Sequence, residues 1–132
     1  MAWIEPKYWI TGDYFNAVDF NRIKNDINEL YSMLTNPDFE LEDMGNDKAI
    51  NDFWTASEFD VLIDNIELIA ISLGGNFSNK PYYYPNGATP TVLELNVIER
   101  KIQNLYNRIN KPYRIYLGQG GSLGSRMVNR LI

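Results

Sequence analysis

The chain contains no cysteine and no histidine. Their absence removes disulfides, zinc sites of the usual Cys/His kind, thiol nucleophiles and every Ser/His or Cys/His dyad, which is most of the common catalytic machinery. It also lacks any run approaching the ~18 apolar residues that a membrane span requires. The opening stretch MAWIEPKYWITGD has neither the basic start nor the apolar stretch of a secretory signal, so the expectation is a chain made in the cytoplasm with no signal peptide. Asp60 and Asp64 fall one helical turn apart, but with no partner base or ligand set they read as surface charges rather than an acid/base pair. The expectations are no catalysis, no cofactor and no metal. What remains is a chain of 132 residues, 45% hydrophobic and 22% charged, which suits one globular domain spanning 1–132.

What the chain does have is one apolar ladder written three times. Phe20, Ile23, Ile27, Leu30 and Leu34 step by three and four residues, and the pattern returns at Phe59, Leu62, Ile66, Ile69 and Leu73, then at Leu95, Ile98, Ile102, Leu105 and Ile109. That is a helical period. Before each ladder a short polar residue is followed three places later by an acid: Asn16 and Asp19, Thr55 and Glu58, Thr91 and Glu94. These pairs have the form of capping boxes. Phe15 with Phe20 and Trp54 with Phe59 have the spacing of hydrophobic staples; Pro90 holds the corresponding place in the third copy. Helices are therefore expected over about 17–34, 56–73 and 92–109. The fold class is mainly α: a bundle of three repeated amphipathic helices (16–112), an extended aromatic N-terminal arm (1–15), and a basic C-terminal tail (113–132) holding a short extended segment and a last helix.

The net charge of −5 conceals an asymmetry. Residues 1–98 carry five Lys/Arg against sixteen Asp/Glu, whereas residues 99–132 carry seven Lys/Arg and Glu99 alone among acids. Either the basic end folds back on the acidic body of its own molecule, or it docks on another copy, which makes a homo-oligomer. Nucleic acid is not expected, since one basic tail on an acidic body offers few phosphate contacts.

Between the helices the sequence is less directive. In the arm, Trp9 and Tyr14 can pack over the start of the first helix, while Trp3, Tyr8 and Trp9 are candidate anchors for a neighbouring subunit. The polar face of the first helix, from Asn21 to Glu29, reads as solvated. The acidic connector 38–53 gathers Asp38, Glu40, Glu42, Asp43 and Asp47 without the spacing of a calcium loop, so a solvated connector pinned by Leu41 and Met44 is expected. The second helix carries Val61, Leu68 and Ile71 well away from its ladder; such a helix is either buried between neighbours or completed by another protein surface. Tyr82, Tyr83 and Tyr84, framed by prolines, suit a core or interface, or stacking on a sugar. Arg114, Arg126 and Arg130 carry the charge of the tail, and Gly118, Gly120 and Gly121 lack the context of a phosphate loop.

Over residues 9–34 the chain resembles a known group. Trp9, then Gly12-Asp13-Tyr14-Phe15-Asn16-Ala17 and Asp19-Phe20-Asn21-Arg22-Ile23, continuing to Asp26-Ile27 and Leu30, is similar to a motif in small structural proteins of phages and prophages of Gram-positive bacteria, encoded among tail and baseplate genes. The likeness is weaker over 91–109 and weaker again over 55–73. The resemblance implies a virion component of the tail or baseplate, assembled in the host cytoplasm in several copies with other tail proteins. It implies no catalytic residue. The alternative carried beside it is a glycan-binding module of a phage tail that recognises the bacterial surface through Trp3, Trp9 and the three tyrosines.

Overall fold

Three helices form where the ladders place them: α1 (Ala17–Ser32), α2 (Ala56–Ser72) and α3 (Val92–Asn110). The computed structural model describes residues 2–78, 80–81 and 90–110. All three capping boxes are made reciprocally. Asp19 N–H donates to Asn16 Oδ1 while Asn16 N–H donates to Asp19 Oδ2, and the Thr55/Glu58 and Thr91/Glu94 pairs repeat both bonds. α2 closes in a Schellman turn: Gly75 N–H donates to the Ala70 carbonyl and Gly74 N–H to that of Ile71. Gly74 adopts φ +86°, where a side chain would be strained.

The ladders supply the core. Phe20, Ile23, Ile27, Leu30, Leu62, Ile66, Ile69, Ile98 and Ile102 are all buried, and every pair of helices is in contact. The expected staples are drawn into one cluster instead of two separate pairs. Phe15 meets both Trp54 (4.9 Å between centroids) and Phe59 (5.5 Å) edge-on, and Trp54 stacks over Phe20 (5.6 Å).

Those ring contacts also set the direction of the helices. Phe15 and Trp54 immediately precede the caps of α1 and α2, so the two helices start side by side. Asn96, one turn into α3, is bonded to Trp9, whose ring lies 5.7 Å from Phe15, so α3 starts there too. At the other end Met33, Leu34, Ile71, Leu73, Arg108 and Ile109 line one cleft, which brings the three C-termini together. The bundle is parallel. A parallel helix pair cannot be joined by a tight turn, so the connection between α1 and α2 has to run the length of the bundle back to the first end, and this is what the long stretch 33–55 does.

Among the described residues no strand forms. The expected extended piece at 113–117, the Gly118–Gly121 turn and the last helix lie outside them, as do Tyr82, Tyr83, Tyr84, Arg114, Arg126 and Arg130. No helix among the described residues is long and apolar enough to cross a membrane.

Candidate functional site

The extended segments have no ladder partner for their backbone, and the helices supply one. Asn96 Oδ1 accepts from Trp9 N–H at 2.7 Å while its Nδ2 donates to the Trp9 carbonyl at 2.9 Å. Asn21 does the same for Lys48, at 2.8 Å in both directions, and Asn65 for Glu42, at 2.8 and 2.9 Å. A primary amide offers one acceptor and donors side by side, so each asparagine imitates one residue of a β-ladder. Asn21 and Asn96 stand five places after their caps, and Trp9 and Lys48 seven places before the caps that follow them. The first segment thus lies between α1 and α3, and the second between α1 and α2. Each segment then makes the same turn before its cap: Asp13 N–H donates to the Ile10 carbonyl and Ile10 N–H to Asp13 Oδ2, and Asp52 with Ala49 repeats both bonds.

Under the first segment lies a buried charge group. Arg22 pairs with both oxygens of Glu99 and stands 3.8 Å from Asp26 Oδ2. Glu99 also accepts from Trp9 Nε1 at 2.8 Å and from Lys7 N–H, while Asp26 Oδ1 accepts from Ile4 N–H at 3.0 Å. Burial pushes the Asp26 carboxyl up to about 6, with Glu99 adding to it and the Ile4 N–H and Arg22 opposing. On the neighbouring segment Lys48 bonds Glu58 at 2.8 Å and holds its carboxyl below the usual range.

Several expectations are corrected by this arrangement. The polar face of α1 is not a solvated stripe: Asn25 and Lys24 are buried, donating to the Ala2 and Gly45 carbonyls, because the extended segments lie across it. Trp9 is not an anchor for a neighbour, being 1% exposed and fully bonded within its own chain. Trp3 stacks on Tyr106 of α3, centroids 3.9 Å apart, and so turns inward as well. Tyr14, expected over the core, points out; its neighbour Phe15 takes the inward place, and successive side chains on extended backbone face opposite ways. Asp60 is buried rather than a surface charge, and Asp64 pairs with Lys80 at 3.6 Å, so the two do not face a common cleft as an open acid pair. Among the described residues no group of three or more acidic, His or Cys side chains is placed to hold a metal.

Of the remaining candidates, Tyr8 is exposed, Val61 and Leu68 are half-buried, and Ile71 is 56% exposed at the rim of the C-terminal cleft, which encloses about 840 Å³. The larger apolar surface was not singled out by the ladders. Tyr14 (85% exposed), Phe53 (87%) and Leu93 (74%), with Ile10, Val18 and Ile50, all stand at the starts of the three helices. Because the bundle is parallel, all six share one end. The signal for them lies in the repeat itself: Tyr14 and Phe53 hold the same place, two before the cap, and Val18 and Leu93 the same place, two after it.

Compared with protein-family models, with curated proteins and with solved structures, the chain gives no match.

Proposed function

We propose that this protein is a structural or adaptor subunit of a phage tail or baseplate, whose work is to hold protein surfaces together. The observation that carries the reading is the set of large apolar side chains left in solvent at one end of the parallel bundle, Tyr14, Phe53 and Leu93 foremost. A lone exposed leucine needs no explanation, but aromatic and aliphatic side chains gathered at one end of a small domain are characteristic of a binding surface. The resemblance of residues 9–34 to small tail proteins of Gram-positive phages supplies the context. The glycan-binding alternative draws less support, because Trp9 is buried and Trp3 is stacked within the molecule, where neither ring can lie against a sugar.

The test is sizing by light scattering across a salt series, together with capture of tail-module proteins of a Gram-positive phage by the immobilised chain. The reading predicts self-association or stable capture, the electrostatic part weakening as screening shortens to ~8 Å at physiological salt and below that at higher salt. A strict monomer at every salt that captures none of those proteins contradicts it.

A further inference from the structure

The N-terminal end of the bundle is acidic as well as apolar. Residues 10–18, 49–58 and 90–95 contain Asp13, Asp52, Glu58 and Glu94 and no Lys or Arg. Three helix N-termini contribute about half a positive charge each, roughly +1.5 together, and Lys48 pairs with Glu58, but Asp13, Asp19, Asp52 and Glu94 still leave that end negative. The opposite end is where the chain departs. The residues after Asn110 carry Lys111, Arg114, Arg126 and Arg130 with no acid, and they close on the apolar Met127, Val128, Leu131 and Ile132. The basic, apolar segment therefore complements, in charge and in greasiness, a surface at the far end of the bundle, about 28 Å away by the rise of the 19 residues of α3.

We propose, building on the assembly reading above, that the N-terminal end of one copy, centred on Tyr14, Phe53 and Leu93, receives segment 111–132 of a second copy. The grooves that would seat it on a path back along its own bundle are already entered. The groove between α1 and α3 holds residues 2–9, and that between α1 and α2 holds 39–48. Into the third, between α2 and α3, Phe77 is buried and Lys80 pairs with Glu67 and Asp64 of α2. With all three grooves entered, the segment meets the complementary end on the next molecule rather than on its own. Such a contact is head-to-tail: donor and acceptor are different surfaces, so association continues into a ring or an open chain.

Two full-length variants test this by light scattering over a concentration series. In Tyr14→Ser/Phe53→Ser the acceptor end is disabled, and in Arg114→Glu/Arg126→Glu/Arg130→Glu the donor segment is. Tyr14 and Phe53 are exposed, the three arginines lie outside the described residues, and helical circular dichroism verifies that each variant is folded. The wild type is expected to grow in mass with concentration and shrink with salt. Each variant alone should need at least tenfold higher concentration to associate. Mixed together, the charge-reversed chain, with its acceptor intact, and the acceptor variant, with its segment intact, should form a 1:1 pair that does not grow further. Self-association that survives both sets of changes overturns the proposed surface while leaving the assembly reading in place. A wild type that stays monomeric yet captures tail-module proteins does the same.

Discussion

Asn96 holds Trp9 by both halves of its amide, accepting the backbone N–H at 2.7 Å and donating to the carbonyl at 2.9 Å, on a helix 87 residues further along the chain. Two backbone groups of a buried residue are satisfied by one side chain. Replacing Asn96 with Ala leaves both without a partner, each at about 1–3 kcal/mol, so Asn96→Ala should lower unfolding free energy by roughly 2–6 kcal/mol. Asn21→Ala, whose bonds to Lys48 are only partly buried, should cost less. Urea denaturation with unchanged m-value measures the difference, and equal small losses would mean the clamps contribute little.

Asp26 gives a dependence on pH whose sign is opposite to that of a salt-bridged acid. Its folded pKa is raised to about 6 from the ordinary carboxyl value of 3.8, so between those values the folded state binds the extra proton and stability falls as pH rises; above about 6 the penalty is complete. Arg22 and Glu99 are the charged groups facing it. Asp26→Asn keeps an oxygen for Ile4 N–H and removes the charge. It should be up to roughly 2–3 kcal/mol more stable than wild type at pH 7, by about 1.4 kcal/mol per pKa unit, and should lose the slope between pH 4 and 6. Denaturation midpoints at pH 4, 5, 6 and 7 decide it.

The core and cap of α2 separate two magnitudes. Ile66 is fully buried, and Ile66→Asp places an unpaired charge there, costing on the order of 4 kcal/mol or more; Thr55→Ala removes one cap bond and should cost about 1 kcal/mol. Thermal melts of both variants provide the check, with equal and negligible shifts as the contrary result.

How far the sequence could be read follows from which forces are local. Helix bounds fell within a turn of expectation because caps, ladders and the Gly74 stop are decided by neighbours in sequence. The parallel arrangement was not visible in any one ladder, since an apolar stripe fits either direction of packing. Asn21 reads as solvated for the same reason, and Asn96 is not singled out: each is a polar residue on a helix until an extended segment is laid against it. Their matching place after the cap in the first and third copies was the available signal. For Trp9 the sequence leaves two readings open, the core and an interface, and the structure bears out the core. An aromatic near a terminus suits an interface, and only the position of Glu99 reveals that its indole N–H already has a buried acceptor. The apolar end required both the repeat register and the helix direction, because Tyr14, Phe53 and Leu93 are far apart in sequence and meet only when three starts share one end.

That shared end is the claim on which the functional reading stands, and spin-label distances test it most directly in a chain with no native cysteine. Single cysteines at the exposed positions Val18, Leu93 and Asn107 allow two pairs to be compared by double electron–electron resonance. The account predicts that Val18–Leu93, joining the starts of α1 and α3, is clearly the shorter distance and Val18–Asn107 the longer by a large part of a helix length. The reverse order would place α1 and α3 antiparallel and disperse the apolar surface.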